Sequence, residues 1–437
     1  MNINELKRIS LSKHSIEGLG GFKYETLINF NNSAANIVIG VNGSGKSTIL
    51  NSIASIINSM VIQFNRGGSG NYGIDMESVS LNSINSIIRS DVFIEKEGLP
   101  SQSYKIYNAF PLDKNHSVEV QRNDNSKVQK IFLDIYQSKS EEKLLPVFRY
   151  FQCVKNVMGG KVASLRFNQM HNRNLGYENM FGEVIKLDEI TSLMVNQINI
   201  ENQYKIEKED LKAETVIGKY IRNCLNVFTT MLYSEKTLVS VGKSNYSTVQ
   251  SLRLLKGDDY FEFSQLSSGE KYVFSVVLDL IYRNVSLNFN SDKLNETAGI
   301  VLIDEIESHL HPKWQLTIIK ALEKTFPNIQ FIVSTHSPLI ASSVRKDQII
   351  AINNFEIISS KDLPDVYSGS SNEILEKILH TESKINLYDP EKKEIDRLIN
   401  NMKFKEAEEK LIELKKRVDS SPQWLKDLEQ LINFGKL

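Results

Sequence analysis

Hydrophobic and polar positions follow two different periods along the chain. Short runs of strand length, either apolar or alternating, recur near the N-terminus, in the middle and in the last third, and such runs favour β-strands. A glycine-rich turn at residues 18–21 predicts a hairpin between the first two runs. The predicted strands are ELKRISL, FKYETLINF, ANIVIG, DVFIEKEG, SYKIYNAF, LLPVFRYF, KTLVSV, DYFEFSQ, GIVLIDEIE and IQFIVSTHS.

The segments with a helical period are longer. One helix is predicted from about Lys46 to Met60, and most of residues 180–233 is predicted to be helical. The other predicted helices are GEKYVFSVVLDLIYR, PKWQLTIIKALEKTF and, within a charged helical end at roughly 372–437, FKEAEEKLIELKKRV and SPQWLKDLEQLINF. The last two predict a helical hairpin joined at Ser420–Pro422. Residues 61–75 predict a loop, and residues 112–127 form a polar stretch.

Two of the apolar strands, at residues 299–307 and 329–337, have a helix between them. A strand–helix–strand order with continuously apolar strands predicts a parallel sheet covered by helices. The expected fold class is therefore α/β.

Composition places the chain among ordinary globular proteins. It has 437 residues, of which 41% are hydrophobic and 24% are charged. This length is enough for two to three domains and a large core without disulfides. The net charge is −1, so no global basic field would attract nucleic acid. Cys153 and Cys224 have neither metal-binding nor redox spacing.

Nothing in the sequence predicts a membrane segment. The N-terminal stretch MNINELKRISLS lacks the apolar core of a secretory signal. The longest apolar run, YVFSVVLDLIY, is interrupted by Asp279 and falls short of the roughly 18 apolar residues of a membrane span. We therefore expect a cytoplasmic protein without membrane contact.

The segment G-V-N-G-S-G-K-S, Gly40 to Ser47, matches the phosphate-binding P-loop pattern between a predicted strand and a predicted helix. Its glycines let the backbone approach phosphates, and the N–H groups at the helix N-terminus attract anions. Lys46 is expected to reach the β- and γ-phosphates, and Ser47 to bind Mg²⁺. A chance glycine-serine turn is the alternative, which the strand–loop–helix context disfavours. The expected ATP-binding residues here are Asn42, Gly43, Ser44, Gly45, Lys46, Ser47 and Thr48.

The strand GIVLIDEIE ends in two acids, Asp304 and Glu305. Asp304 at the carboxyl end of a strand can hold Mg²⁺, directly or through water. Glu305 is then placed to orient and deprotonate the attacking water. An ordinary strand end with solvated acids is the alternative, and the P-loop upstream makes the catalytic interpretation stronger.

Two further motifs are ambiguous in isolation. The segment L-S-S-G-E-K, Leu266 to Lys271, opens a helix with serine hydroxyls and free N–H groups, and within one subunit this is the sequence of a helix cap. The segment F-I-V-S-T-H-S-P places His336 just after a buried strand, where it could donate to a γ-phosphate or serve as a structural hydrogen-bonding group. Neither motif decides between its two interpretations alone.

The order of the four motifs, from P-loop through LSSGE and Asp304-Glu305 to STHS, resembles that of the ABC ATPase superfamily. The resemblance spans residues 1 to about 355. It implies a P-loop fold of ABC type with a mixed or parallel sheet, and ATP and Mg²⁺ as cofactors. It also implies a homodimer or higher oligomer in which the signature of one subunit covers the nucleotide of the other. The expected signature residues in trans are Ser267, Ser268, Gly269 and Glu270, and the expected catalytic residues are Glu305 and His336.

Two positions depart from the superfamily pattern. The Q-loop glutamine has no firm match, and Gln152 after LLPVFRYF is the candidate for contacting ATP and Mg²⁺, with a surface glutamine beside a core strand as the alternative. Where the D-loop has Asp, this chain has His311 within ESHLHP, which resembles the RecF/OLD-like branch of soluble ABC ATPases. Transporter D-loops are therefore a poor guide here.

The segment from Lys143 to Arg173 contains six basic residues, no acid and several aromatic residues. Such a patch could contact nucleic-acid phosphates and stack bases. Alternatively, the aromatic residues form a core strand and the cations face ATP or solvent. Both interpretations stay open at the level of sequence, and the first allows a RecF-like DNA-repair clamp.

The C-terminal part of the sequence indicates which branch of the ABC ATPase superfamily the chain resembles. No DxD metal pair follows His336, so a nuclease domain of OLD type is not expected. The charged helical end instead resembles that of the PtuA-type ATPase subunits of Septu anti-phage systems, which implies a separate HNH nuclease partner. The expected domains are an ATPase core at 1–175 and 235–355, an inserted helical lobe at 176–234, and a C-terminal helical extension at 356–437.

Overall fold

The computed structural model divides the chain into two compact units, Met1–His380 and Thr381–Leu437. The structure describes residues 5–31, 35–64, 79–80, 85–111, 123–138, 143–152, 157–158, 173–182, 185–233, 237–243, 250–308, 310–359, 363, 389–417 and 423–435.

Fifteen strands are present in the described part of unit 1. They are β1 Leu6–Glu17, β2 Thr26–Asn29, β3 Asn36–Ile39, β4 Asn85–Lys96, β5 Gln102–Pro111, β6 Val147–Phe151, β7 Val157–Met158, β8 Ile185–Lys186, β9 Thr237–Lys243, β10 Gln250–Lys256, β11 Asp259–Glu262, β12 Gly299–Ile303, β13 Ile329–Thr335, β14 Ile349–Asn353 and β15 Glu356–Ile357.

Six of these strands form a central sheet in the order β15-β14-β3-β13-β12-β6. The four strands β3, β13, β12 and β6 run parallel, and β14 pairs parallel with β3. Only the short edge strand β15 is antiparallel. Each of β3, β6, β12 and β13 is buried along its whole length, as expected of parallel strands covered on both faces. The predicted α/β fold of P-loop type, with a mixed sheet, is confirmed.

Two antiparallel sheets accompany the central one. The first has the order β2-β1-β4-β5, with β1 and β2 joined through the predicted hairpin. The second has the order β11-β10-β9. The strand predicted over DYFEFSQ ends at Glu262 and continues as a 3-10 turn, Phe263–Gln265. There the Gln265 side chain accepts a hydrogen bond from the Glu262 backbone N–H at 2.7 Å, which turns the chain away from the sheet.

Eight helices are described in unit 1 and three in unit 2. They are α1 Lys46–Val61, α2 Asn125–Gln137, α3 Leu187–Glu207, α4 Val216–Leu232, α5 Ser268–Asn288, α6 Pro312–Gln315, α7 Ile318–Thr325, α8 Pro338–Ser342, α9 Asp389–Asn400, α10 Phe404–Arg417 and α11 Gln423–Gly435.

The helix α1 follows the P-loop and lies within the hydrophobic core. Together with the short turn to Phe64 it is long and apolar enough to cross a membrane by length and composition alone. However, about two thirds of its most apolar stretch is buried inside unit 1. This is the behaviour of a core helix that is apolar around most of its circumference.

The helices α3 and α4 occupy most of the segment predicted as a helical lobe. Their buried faces belong to the same hydrophobic cluster as the central sheet and α5. The side chain of Thr215 caps α4 by accepting from the Gly218 N–H at 3.1 Å. The division of the ATPase core into a separate lobe at 176–234 stays a prediction.

One predicted helix, PKWQLTIIKALEKTF, is divided into α6 and α7. The Thr317 hydroxyl bonds back to the Lys313 and Trp314 carbonyls, which offers those groups an alternative to the helical ladder. In addition, the Trp314 indole N–H donates to the Leu232 carbonyl at 3.1 Å. Side-chain bonds of this kind are long-range or conformation-dependent, so the helical period did not reveal the break.

Unit 2 is formed by α9, α10 and α11. Its core is a small apolar cluster that includes Ile395, Leu411 and Leu428. The predicted helices of the hairpin correspond to α10 and α11, and their joint at Ser420–Pro422 lies outside the described residues. Most of the predicted loop at 61–75 and of the polar stretch at 112–127 also lies outside them, and α2 begins at Asn125, inside that polar stretch.

Candidate functional site

Four of the five parallel strands of the central sheet, β3, β13, β12 and β6, end at one edge, and each is followed by a predicted site residue. The strand β3 leads into Gly40, β13 into His336, β12 into Asp304 and β6 into Gln152. The Asp304 N–H donates to the Phe151 carbonyl at 2.8 Å, which continues the pairing past the strand ends. The carboxyl edge of a parallel sheet at which strand order reverses is a common ligand site in α/β folds.

The P-loop has the backbone shape that its glycines allow. Gly43 and Gly45 have φ angles of 76° and 106°, which other residues rarely adopt. At Gly40 a Cβ atom would lie 2.3 Å from the Ile352 carbonyl oxygen, so the close approach of β14 requires glycine there. These positions fix a tight loop directly before α1.

Lys46 is the first residue of α1, and its side chain turns back over the loop. Its ammonium donates to the carbonyls of Gly40 at 3.0 Å and Val41 at 2.8 Å. Burial lowers the pKa of Lys46, and the carboxylates of Asp304, Glu307 and Glu305 oppose that effect. A buried cation facing three acids is electrostatically suited to a phosphate that also attracts a divalent cation.

The other P-loop residues differ in exposure. Asn42, Gly43 and Ser47 are exposed, and Thr48 is half-buried. The Ser44 hydroxyl is buried and has no hydrogen-bond partner among the residues that the structure describes. An unsatisfied buried hydroxyl inside a glycine-rich loop at a helix N-terminus fits a site built for an anion.

Asp304 and Glu305 are fixed by Ser334 on the neighbouring strand β13. The Ser334 hydroxyl donates to a carboxylate oxygen of Asp304, which is only 8% exposed, and accepts from the Glu305 N–H at 2.9 Å. The hydroxyl therefore holds the carboxylate of one acid and the backbone of the other. Ser334 belongs to the STHS motif, but the sequence analysis gave it no role of its own.

Glu305 has a left-handed backbone, with φ = 48°. This conformation costs a residue with a side chain about 1–2 kcal/mol. Such strain concentrates at functional sites. Here it directs a half-exposed carboxylate toward His336, whose Nε2 lies 3.8 Å from Glu305 Oε1.

The His336 ring is oriented by the P-loop. Its Nδ1 lies 2.8 Å from the Gly40 carbonyl oxygen and 3.2 Å from the Lys46 ammonium. A carbonyl can only accept, so the shorter contact assigns the proton to Nδ1 and leaves the contact with Lys46 without a hydrogen bond. Nε2 then faces the Glu305 side of the site.

Glu307 lies two residues beyond Glu305 and was not predicted as a site residue. Its carboxylate accepts from the His336 N–H at 2.5 Å and from the Thr335 hydroxyl at 2.8 Å. It therefore ties the loop after β12 to the loop after β13. The signal in the sequence was the acid at the end of GIVLIDEIE, which was given no function of its own.

The signature segment forms the start of α5. Ser267 is the N-cap and forms a reciprocal capping box with Glu270. Ser267 and Ser268 are exposed, and Gly269 is buried. The cap reading of this segment is therefore correct within the subunit, and both serine hydroxyls lie at the surface.

The Glu270 carboxylate is bonded inside its own subunit. It accepts from Tyr233 at 2.7 Å, from the Ser267 N–H at 3.0 Å and from the Lys256 ammonium. Burial raises the pKa of Glu270, but the hydrogen bonds from Lys256, Tyr233 and Ser267 outweigh it, so the pKa lies below its ordinary value. This carboxylate holds the signature serine in place.

Gln152 and His311 are the two positions that departed from the superfamily pattern. In the chain they lie on either side of Asp304 and Glu305. Gln152 is half-buried directly after β6, next to the strand that ends at Asp304. The His311 side chain accepts from the Lys313 N–H at 3.3 Å and caps α6. This geometry is compatible with the proposed place of Gln152, and it gives His311 a structural role within the subunit.

The described part of the basic segment includes the strand β6, which lies in the core. Arg149 is fully buried, with Nε 3.2 Å from Asp279 on α5, and burial lowers its pKa to about 10. Phe148, Tyr150 and Phe151 are core residues of β6. These rings therefore follow the alternative interpretation, in which the aromatic residues form a core strand, and Arg149 faces Asp279 rather than nucleic acid, ATP or solvent, because β6 is covered on both faces.

The remaining cations of that segment are divided. Arg173 donates to the backbone carbonyls of Leu287 at 2.6 Å and Lys143 at 3.3 Å, so its guanidinium is used internally. Lys155, Lys161 and Arg166 lie outside the described residues.

The donor set is suited to ATP and Mg²⁺. The N-terminus of α1, a buried ammonium and an orphaned Ser44 hydroxyl match a phosphate chain, and the oxygen atoms of Ser47 and Asp304 are ligands that Mg²⁺ prefers. In the part of the chain that the structure describes, no group of three or more His, Cys, Asp and Glu side chains could by itself hold a metal ion. This fits Mg²⁺, which is usually bound by one or two carboxylates together with substrate phosphates.

A protein-family model matches residues 138–342, and its family is described as "AAA domain, putative AbiEii toxin, Type IV TA system". This match includes the signature, the two acids and His336, and it begins after the P-loop.

Three curated proteins are similar over different lengths. "Retron Vc95 probable ATPase" of Vibrio cholerae serotype O1 biovar El Tor is 28% identical over 380 residues, which cover 77% of this chain and 72% of the relative. "Retron Ec83 probable ATPase" of Escherichia coli is 33% identical over 38% of this chain and 32% of the relative. "Septu protein PtuA" of Bacillus thuringiensis is 34% identical over 28% of this chain and 32% of the relative.

Proposed function

We propose that this chain, which has the sheet and motif order of an ABC-type AAA ATPase and resembles PtuA, is the ATP-binding and ATP-hydrolysing subunit of an anti-phage defence complex. The observation on which this depends is the convergence of Lys46, Asp304, Glu305 and His336 at one edge of the parallel sheet. Retron and Septu relatives support the defence assignment.

The residues of the site divide the chemistry of hydrolysis between them. The P-loop N–H groups and Lys46 bind the phosphates of ATP and orient the γ-phosphoryl group. Glu305 orients the attacking water and accepts its proton. His336, anchored through Nδ1 on Gly40, presents Nε2 to the γ-phosphate side and stabilises charge there when protonated. Mg²⁺ held by Ser47 and Asp304, with Gln152 as a further candidate, would supply positive charge to the phosphate oxygens.

The site is completed by a second copy of the chain. Ser267 and Ser268 are exposed at the N-terminus of α5, where hydroxyl and N–H groups can meet an anion. We assign Ser267 and Gly269 to contacts with the nucleotide of the partner subunit, and Glu270 to holding Ser267 in position. Dimerisation would then depend on ATP.

The partner in defence is proposed to be a separate nuclease of HNH type, encoded beside this chain, and the complex is proposed to be cytoplasmic. The motivation is an ATP site, with a P-loop and the acids Asp304 and Glu305, in a chain whose sequence has no DxD pair after His336. A RecF-like DNA clamp remains the second candidate, but burial of Arg149 removes the cation that lay among the aromatic residues of its proposed surface.

Two measurements test the proposal. ATP turnover should be found in the purified parent and lost in Glu305→Gln, which retains ATP binding. The protein encoded next to this chain should co-purify with it and should have nuclease character. A neighbour of unrelated character, such as a permease, contradicts the defence role, and equal turnover in the parent and in Glu305→Gln contradicts the catalytic assignment.

A further inference from the structure

The contacts of Glu307 assign it a role that the motif pattern did not suggest. It lies in the loop after β12, half-buried, with both carboxylate oxygens directed at the loop after β13. The separations along the chain are 28 and 29 residues, so this is a tertiary contact. We call the two hydrogen bonds from Thr335 and His336 to this carboxylate the Glu307 clamp.

One hydrogen bond of the Glu307 clamp holds the backbone of His336, whose ring faces the γ-phosphate side of the site. The His336 N–H donates to Glu307 Oε1 at 2.5 Å, while its ring Nδ1 is held by the Gly40 carbonyl at 2.8 Å. Two attachments, one to the backbone and one to the ring, fix both the position and the rotation of the imidazole. Losing the first leaves the ring attached only through the P-loop.

The second hydrogen bond extends the clamp to the following helix. The Thr335 hydroxyl donates to Glu307 Oε2 at 2.8 Å and accepts from the Ser337 N–H at 2.9 Å. Ser337 in turn caps α8 through the Leu339 and Ile340 N–H groups. The direction in which the chain leaves β13 is therefore set by one carboxylate.

The chemistry of the donors explains why a carboxylate is needed. An N–H and an O–H both donate, and an ionised carboxylate offers two acceptor oxygens. Glutamine offers one acceptor oxygen and an NH₂ group, so it can keep the bond from His336 but not the bond from the Thr335 hydroxyl. Hydrogen bonds to charged acceptors are also about twice as strong as neutral ones.

We propose that Glu307 is a positioning residue for ATP hydrolysis, which acts through His336 by fixing the loop after β13 against the loop after β12. The proposal rests on the ATPase function proposed above. Glu307 itself need not touch the nucleotide. Its removal should lower turnover more than ATP binding, because the phosphates are bound mainly by the P-loop.

The test compares Glu307→Ala and Glu307→Gln with the control Glu323→Ala. Glu323 is also half-buried, and it accepts from the Ala35 N–H at 2.8 Å and from Gln348 Nε2 at 3.2 Å, at the opposite end of β3. The control Glu323→Ala therefore loses a similar pair of hydrogen bonds, but at a place away from the site. We expect Glu307→Ala to lower kcat on the order of 10- to 100-fold, as a misplaced catalytic group does. The Kd for a fluorescent ATP analogue should change by less than about 3-fold, since the contacts of the P-loop are unchanged.

Two comparisons separate positioning from general destabilisation. Glu307→Gln should recover part of kcat, and Glu307→Ala should add little to the defect of His336→Ala, because coupled residues are not additive. Glu323→Ala should keep kcat near that of the parent. If kcat of the folded protein is unchanged in Glu307→Ala, or falls equally in Glu323→Ala, the positioning role is refuted.

A second readout does not depend on turnover. Hydrogen–deuterium exchange of the peptide spanning residues 331–342 should be faster in Glu307→Ala than in the parent and in Glu323→Ala, since the His336 N–H loses its acceptor. Unchanged exchange there overturns the clamp even if the parent has no ATPase activity. A parent that neither binds nor hydrolyses ATP, with the exchange difference present, refutes the proposed function and keeps the structural clamp.

Discussion

Glu305 has a left-handed backbone and is the proposed general base for ATP hydrolysis. We therefore expect this residue to destabilise the fold and to be required for turnover. We consider two substitutions, Glu305→Ala and Glu305→Gly. Both remove the carboxylate that is proposed to accept the proton from water. Only glycine also removes the Cβ atom that makes φ = 48° unfavourable.

The two effects have different magnitudes. A residue with a Cβ pays about 1–2 kcal/mol in the left-handed region. Glycine loses roughly 0.5–1 kcal/mol more than alanine in backbone entropy on folding. The free energy of unfolding of Glu305→Gly should therefore exceed that of Glu305→Ala by about 0.5–1 kcal/mol. With a slope of about 2–3 kcal/mol per M, the urea midpoint should rise by roughly 0.2–0.5 M.

The assay uses tryptophan fluorescence during urea unfolding. The chain has two tryptophans, Trp314 in unit 1 and Trp424 in unit 2. A Trp424→Phe background therefore lets Trp314 report the unfolding of unit 1 alone. Turnover is measured on the same preparations and should fall about 10²- to 10⁴-fold in both variants, as expected for loss of a general base.

The reasoning has two independent ways to fail. If Glu305→Ala is as stable as Glu305→Gly, the backbone at this position is not held in a strained conformation. If either variant keeps the turnover of the parent, the carboxylate is not the base. Higher stability of the glycine variant together with lost turnover in both is the expected combination.

Three further predictions concern other parts of the molecule. Lys46→Ala should weaken the binding of a fluorescent ATP analogue on the order of 100-fold or more, because the ammonium that reaches across the P-loop is lost; binding within 3-fold of the parent would contradict this. Ser267→Arg should abolish the ATP-dependent dimer in light scattering while ATP still binds the monomer, and a normal dimer would exclude the trans contact. Burial lowers the pKa of His14, held between Ser52 and Ser90, to about 3. Since the unfolded state takes up a proton below about pH 6.5 and the folded state does not, stability is lost as pH falls. His14→Gln should therefore lose about 2 kcal/mol less between pH 7 and pH 5, which urea unfolding at both pH values can measure; equal losses would refute the assignment.

Several site features followed from the sequence because they depend on residues adjacent in the chain. The P-loop glycines, the helix that begins at Lys46 and the acids after β12 are all local. The continuous apolar runs of β12 and β13 were enough to predict that they pair in parallel. The two residues of the helix cap, Ser267 and Glu270, are likewise only three positions apart in the chain.

Other features could not be read from the chain because they join distant residues. Whether Arg149 faces nucleic acid, ATP or solvent, or a carboxylate in the core such as Asp279, depends on what covers β6, which the sequence does not show. The clamp between Glu307 and the loop after β13 exists only because β12 and β13 are neighbours and end at the same level.

The sequence by itself determined which chemical groups this protein has for phosphate and water, since motif spacing sets local backbone shape. The tertiary structure decided which of those groups meet and which are used internally. Hydrogen bonds such as that from Ser334 to Asp304 form between strands whose pairing is set by burial of the whole sheet. No local pattern encodes such a bond, because its two partners are specified by the packing of many residues between them.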